Sequence, residues 1–100
     1  MNVETINLSG GRGAQGFTVE LGPVNLVFVK TDTGMIGCGA FNVMALDKFE
    51  YPAARIASED GSPIRCPDDL LEGVVIEVNK TAAGKGAALE LKGRDVLEML

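Results

Sequence analysis

Cys38 is the residue whose neighbours best suit it for chemistry, because it lies between Gly37 and Gly39. The pattern predicts that a strand ends here and a helix begins, and the free amides of a helix N-terminus stabilise an anion such as a thiolate. The two glycines allow a substrate to approach the backbone closely. The alternative is a plain packing role, since free cysteines are often small buried residues. Cys38 is therefore either a nucleophile beside a ligand site or part of the core.

The chain contains no histidine, so neither Cys-His nor Ser-His catalysis is available within it. A reactive Cys38 would depend on the helix field and on an arginine, and we expect Asn42 and Arg55 to be the polar partners of a ligand there. The other cysteine, Cys66, lies too far along the chain to form a metal-binding motif with Cys38. No metal and no cofactor are predicted.

Asp32-Thr33-Gly34 is a second candidate, because an apolar run followed by Asp-Thr-Gly is the signature of aspartic proteases. In those enzymes the carboxylate shares a proton with its copy from a second lobe or subunit. The segment 93–97, Gly-Arg-Asp-Val-Leu, resembles a later motif of the retroviral type. The simpler interpretation is a hairpin turn, since Asp and Gly are common turn residues. A homodimeric protease using Asp32 thus stays as the less favoured enzyme hypothesis.

Length and charge limit the possible partners. One hundred residues are the usual size of one domain, and a chain this short has a thin core that gains from self-association. The net charge of −5 and the scattered basic residues disfavour nucleic acid. No apolar run is long enough for a membrane span, and the N-terminus has no signal-peptide pattern. We therefore expect a cytoplasmic protein whose main partner is another copy of itself.

Hydrophobic periodicity predicts an α+β fold, with a mainly antiparallel sheet from the N-terminal half and two or three short helices packed on it. The glycine-rich segment 10–16 is interpreted as a loop, and 74–84 can be a strand or the start of a helix. The predicted strands are 3–8, 17–21, 26–29, 35–38, 53–57 and 87–91, and the predicted helices lie in 41–49, 67–72 and 93–100. We expect 26–29 to be buried on both faces, because it is continuously apolar.

Three motifs occur in an order typical of one family. They are Gly-Met-Ile-Gly-Cys-Gly-Ala-Phe-Asn-Val at 34–43, Asp-Leu-Leu at 69–71 and Gly-Arg-Asp-Val-Leu at 93–97. Together they resemble the YunC-like family of uncharacterised bacterial and archaeal domains. The motif positions carried onto this chain are Gly34, Cys38, Gly39, Ala40, Asn42, Arg55, Asp69, Gly93 and Arg94.

The resemblance implies a compact α+β domain whose N-terminal β region, about 1–38, mediates tetramer formation. It implies no established activity. The sequence thus predicts a homo-oligomeric binding or structural module spanning 1–100, with a ligand site near Cys38 that includes Gly37, Gly39, Asn42 and Arg55. The alternative is an enzyme that uses Cys38 as an activated thiolate.

Overall fold

A six-stranded sheet forms the frame of the molecule. The computed structural model describes every residue from Met1 to Leu100. The strands are β1 (Asn2–Asn7), β2 (Gly13–Glu20), β3 (Asn25–Lys30), β4 (Met35–Gly37), β5 (Ala53–Ala57) and β6 (Val74–Val78). They lie side by side in chain order, and all neighbours are antiparallel except β4 and β5, which run parallel. The predicted α+β class is confirmed, although β5 and β6 extend the sheet beyond the N-terminal half.

Short helices cover the two faces of the sheet unequally. The helices are α1 (Pro67–Glu72), α2 (Lys80–Ala83) and α3 (Gly93–Met99), with a 3₁₀ turn at Ser9–Gly11 and a longer 3₁₀ helix at Val43–Phe49. Helices α1 and α3 contact each other and pack on one face, whereas the longer 3₁₀ helix packs against β5 and β6 on the other. The 3₁₀ helix connects β4 to β5, which is the crossover that a parallel pair requires.

The main core lies between the sheet and helices α1 and α3. Because side chains alternate along a strand, Val27 and Val29 of β3 face these helices and are fully buried. Phe28 points to the other face, where it is only half-buried and stacks on Phe17. The expectation that this strand is buried on both faces was therefore wrong, because only Phe41 and the small cluster of Met35, Val43 and Ala53 lie against the Phe28 side.

Two further boundaries differ from the sequence prediction. The segment 13–16 belongs to β2 rather than to a loop, and Gly16 lets α1 approach, since a Cβ there would lie 2.7 Å from Cγ of Pro67. The segment 87–91 forms no strand and instead turns at Glu90, whose φ is 71°. The ambiguous segment 74–84 contains both alternatives in succession, β6 and then α2.

Gly93 sets the distance between α1 and α3. A Cβ at this position would overlap the carbonyl oxygen of Leu70, and that backbone atom cannot rotate away as a side chain can. The backbone N–H of Gly93 also donates a 2.9 Å hydrogen bond to the carbonyl of Gly73, at the end of α1. The glycine is therefore required by the close approach of two backbones.

We expect Gly93→Ala to lower the free energy of unfolding by about 3 kcal/mol or more, because α1 or α3 must move to admit the methyl group. Urea unfolding followed by circular dichroism measures the change. Gly13→Ala is the matched control, since a Cβ there meets nothing within 4 Å, and it should change stability by no more than about 0.5 kcal/mol. Equal effects of the two substitutions would contradict the packing argument.

The side chain of Asn79 holds the crossover in place from inside the protein. It is fully buried, and its Oδ1 accepts hydrogen bonds from the N–H groups of Ala53 (3.2 Å) and Ala82 (2.9 Å). Its Nδ2 donates to the carbonyls of Val43 (3.0 Å) and Tyr51 (2.8 Å). One amide thus joins both ends of the 3₁₀ helix to β5 and α2, and all its hydrogen-bonding capacity is used.

Asp47 adds a second link between the same elements. Its carboxylate accepts hydrogen bonds from the N–H of Lys80 (3.0 Å) and from the N–H and hydroxyl of Thr81 (3.1 and 3.0 Å). The hydrogen bond from the Lys80 amide, together with those from Thr81, lowers the pKa of Asp47 below its ordinary value of 3.8. The crossover is therefore tied to α2 on its exposed side as well as on its buried side.

We expect Asn79→Ala to cost at least about 3 kcal/mol of unfolding free energy, because it removes the side-chain partners of four backbone groups, three of them buried and one partly buried. Thermal and urea unfolding measure the loss. Asn7→Ala, on the exposed end of β1, is the control and should be nearly neutral. A nearly neutral Asn79→Ala would show that water or local rearrangement replaces the four hydrogen bonds.

Candidate functional site

Cys38 directly follows the last residue of β4 and contributes its side chain to the main core. Only 6% of the residue is exposed. Its N–H donates to the carbonyl of Val27 (3.1 Å), and its own carbonyl accepts from the N–H of Phe41 (3.2 Å). The expectation that Cys38 faces the free amides of a helix start was wrong, because a turn intervenes and Asn42 is the N-cap of the following 3₁₀ helix.

The buried thiol forms part of the wall of an open cleft of about 380 Å³. The cleft lies where the carboxyl ends of the parallel strands β4 and β5 meet, beside Cys38, which follows β4, and Ile56 of β5. The start of β3, with Asn25, and the loop 58–66 form the remaining sides. Sequence reasoning placed a ligand near Cys38, and the structure shows a cavity at that position.

Ile76 lines the same cleft because β6 is irregular there. Arg55 pairs with Glu77 and Ile56 pairs with Val75, so Ile76 is an extra residue with no partner on β5. Such a bulge re-aims one side chain and is common beside functional sites. Its side chain is 44% exposed at the cleft. No sequence signal marks this bulge, which is why Ile76 was missed, as were Asn25, Ser58, Ser62 and Ile64 of the lining.

Arg55 lies beside Cys38 in the pairing of β4 with β5, but its side chain is on the other face of the sheet. It is in register with Gly37, and the side chain of the next residue, Cys38, points the opposite way. The guanidinium is 3.1 Å from Oε1 of Glu77 and donates a 3.3 Å hydrogen bond to the carbonyl of Gly39. The arginine therefore braces the turn after Cys38 and does not line the cleft.

The other predicted ligand-binding residues divide between the cleft and the turn that bounds it. Gly39 lines the cleft, and a Cβ there would meet nothing within 4 Å. Gly37 has no room for a side chain, because Phe41 lies over it at 2.6 Å from an added Cβ. Asn42 accepts a 3.1 Å hydrogen bond from the N–H of Ala45 and so caps the 3₁₀ helix. Of these three residues, Gly39 is the one that lines the cleft.

Asp32 lies in the tight turn between β3 and β4 and is exposed. The neighbouring Thr31 is buried, and its hydroxyl accepts hydrogen bonds from the N–H groups of Thr33 and Gly34, both at 3.1 Å. The turn is thus built by the threonine hydroxyl, and it carries the Asp32 carboxylate away from the Cys38 cleft. The two predicted catalytic residues do not form one site.

A second depression, of about 330 Å³, adjoins the same loop 58–63 and is lined by several acidic side chains. Two of them are paired, since Glu59 lies 3.0 Å from Lys92 and Glu72 lies 3.3 Å from Arg94. No group of three or more potential ligands is arranged to hold a metal ion. None of the helices has the length and apolar character needed to cross a lipid bilayer.

Comparison with known families places the chain in a defined class. It belongs to the family described as Domain of unknown function (DUF1805), whose model matches residues 37–100. This confirms the coarser expectation of an uncharacterised domain family. The matched segment includes Cys38, Gly39 and Arg55 but not Asp32.

The fold also has a solved counterpart. The chain is similar to the crystal structure of a protein of unknown function, TA1206, from Thermoplasma acidophilum, with 27% sequence identity and a TM-score of 0.85. The similarity covers 99% of this chain and 91% of that one, so it includes the strands β1 to β3 that precede the family match. No curated protein matches the chain significantly.

We expect the two thiols to differ sharply in reactivity, because Cys66 is exposed and Cys38 is buried. A disulfide reagent should label Cys66 at once in the native protein. In a Cys66→Ser variant, Cys38 should react at least about a hundredfold more slowly, since only molecules that have opened locally expose it. Mass spectrometry after timed quenching measures both rates. Rapid labelling of Cys38 at mildly acidic pH would contradict the packing role and support an activated thiolate.

Proposed function

We propose that this chain is a homo-oligomeric binding module that assembles through its N-terminal β region and holds a ligand in the cleft beside Cys38. The observation that carries the proposal is the free edge of β1, together with the partly exposed apolar face that β1, β2 and β3 share. The finer relationship to the YunC-like family, tetramer formation and a cytoplasmic location belong to the same proposal.

The two edges of the sheet are treated differently. The outer edge of β6 is covered, because Val75 exchanges two backbone hydrogen bonds of 2.9 Å with the segment 90–91. The other edge, β1, has no such cover and pairs only with β2. Edge strands usually carry a lysine, a proline or a bulge that blocks further pairing, and β1 contains neither lysine nor proline and pairs with β2 without a bulge. An unblocked edge supports pairing with a second copy.

The face of β1 to β3 turned away from α1 supports the same conclusion. In the register, Val3 is opposite Phe17 and Phe17 is opposite Phe28, so the three side chains form one apolar row across the strands. Val3 is 54% exposed, and the two phenylalanines are half-buried. Among the positions on this face, Lys30 carries the one charge. Burial of such a face against another copy is favourable at about 25 cal/mol per Å².

A binding role explains the surroundings of Cys38 better than catalysis does. The thiol packs among core residues, and none of the residues that line the cleft is a base or carries a charge. A nucleophilic cysteine needs an activating base or a cationic neighbour as well as access. Asp32, the alternative catalytic residue, is exposed in a turn whose geometry Thr31 already explains. The enzyme hypotheses therefore depend on groups outside this protomer.

We expect Val3→Lys to reduce the assembled mass, because a lysine on the edge strand places an unpaired charge in the proposed interface. Light scattering coupled to gel filtration measures the mass against the 10.5 kDa of a single chain. The wild-type protein should elute as a multimer, with four copies expected from the YunC-like resemblance, and the variant as a smaller species.

Leu89→Lys is the matched control for this experiment. Leu89 is 60% exposed, lies near the covered edge of β6 and is remote in sequence from β1. The control should keep the wild-type mass. A monomeric wild-type protein would overturn the oligomer proposal, and an unchanged mass for Val3→Lys would exclude β1 as the interface.

A further inference from the structure

We infer that the Cys38 cleft takes a small, uncharged and mainly apolar molecule that carries a hydrogen-bond donor. This inference rests on the proposed ligand site and names its ligand class. It depends on the composition of the lining, on the hydrogen bonds that its polar side chains already make, and on the bulge that aims Ile76 at the opening.

The lining is apolar and without charge. Seven of the thirteen lining residues are hydrophobic, and the other six are glycine, serine, asparagine or proline. An ionic ligand would lose hydrating water on entering the cleft and would find no opposite charge there. This desolvation costs free energy even in a partly open cleft. The carboxylates of Glu59 and Asp60, on the loop beside the cleft, line the neighbouring depression instead. A charged ligand therefore has no partner in the cleft that would offset its desolvation.

Two apolar side chains at the opening give the ligand contact area. Ile76 is 44% exposed because of the bulge in β6, and Val24 is 56% exposed at the start of β3. Isolated apolar side chains on a surface need no explanation, but these two lie on the same cleft as the buried Ile56 and Cys38. A molecule seated between them removes apolar surface from water on both sides.

The polar side chains of the lining have acceptor capacity to spare. The hydroxyl of Ser62 donates to Oδ1 of Asp60 (2.6 Å), which leaves the lone pairs of its oxygen free. The amide nitrogen of Asn25 donates to the carbonyl of Arg65 (3.0 Å), which leaves its oxygen as an acceptor. These acceptors favour a ligand with a hydroxyl or amide N–H group, and a hydroxyl can in turn accept from the second N–H of Asn25 or from the hydroxyl of Ser58.

Three molecules of one shape test this inference: cyclohexanol, cyclohexylammonium and cyclohexanecarboxylate. Each is titrated into the ¹⁵N-labelled protein, and amide chemical shifts report where it binds. Cyclohexanol should shift the amides of Gly39, Ala40 and Ser58, which line the cleft. Both ions should bind there at least about tenfold more weakly, because burial of an unpaired charge is unfavourable.

Ala40→Leu tests the place of binding, since Ala40 is exposed in the cleft and a longer side chain fills it. It should abolish the cyclohexanol shifts, whereas Ala83→Leu, at an exposed position of α2, should leave them unchanged. Equal or tighter binding of either ion, binding that survives Ala40→Leu, or no cyclohexanol binding at the cleft would each overturn the inference. The assembled mass is measured separately, so failure here is distinguishable from failure of the oligomer proposal.

Discussion

The hydrogen bonds of the Asn79 side chain hold the connection on which the rest of this structure depends. A parallel pair needs a crossover, and here the crossover is one short 3₁₀ helix between β4 and β5. A 3₁₀ helix has poor hydrogen-bond geometry and gains little stability by itself. Asn79 compensates by bonding the first residue of this helix, the segment after it and the start of β5. The link adds to the backbone pairing of β4 with β5 and to the buried contact of Met35, Val43 and Ala53.

The cleft beside Cys38 is a consequence of the same parallel pair. Because β4 and β5 run in the same direction, Cys38 and Ile56 lie at the same end of the two strands. Beyond these strand ends the chain continues into the turn at 39–40 and into the loop 58–66, and the cavity lies between the turn and the loop. In α/β sheets, ligands commonly bind outside the carboxyl ends of parallel strands, and this small sheet has one such place.

The glycines of the family-like motifs have mainly structural roles in this fold. Gly93 permits the contact between α1 and α3, and Gly37 permits Phe41 to cover the sheet. Gly34 lies against the carbonyl of Pro52 and the side chain of Leu100, where a Cβ would be 2.9 Å and 3.0 Å away. A thin core reaches dense packing by bringing backbones together, and only glycine allows that. The motifs thus describe how the domain packs more directly than how it acts.

Much of the fold could be read from local patterns in the sequence. Alternation predicted most strands, Pro67 with two aspartates marked the start of α1, and the apolar spacing of Val96 and Leu97 indicated α3. These signals succeed because they report interactions within a few residues. The glycines of 13–16 misled the prediction, since glycine indicates a loop unless a distant residue such as Pro67 requires the space.

The sequence by itself determined most of the strands and turns and singled out Cys38 between its two glycines. Only the tertiary structure decided which side of the sheet Cys38 and Arg55 face, that β6 bulges at Ile76, and that Asn79 joins three elements. The physical reason is the distance along the chain over which these interactions act. Periodicity and turn chemistry act between neighbouring residues, whereas the orientation of side chains, strand bulges and buried hydrogen bonds depend on residues that meet only after the chain has folded.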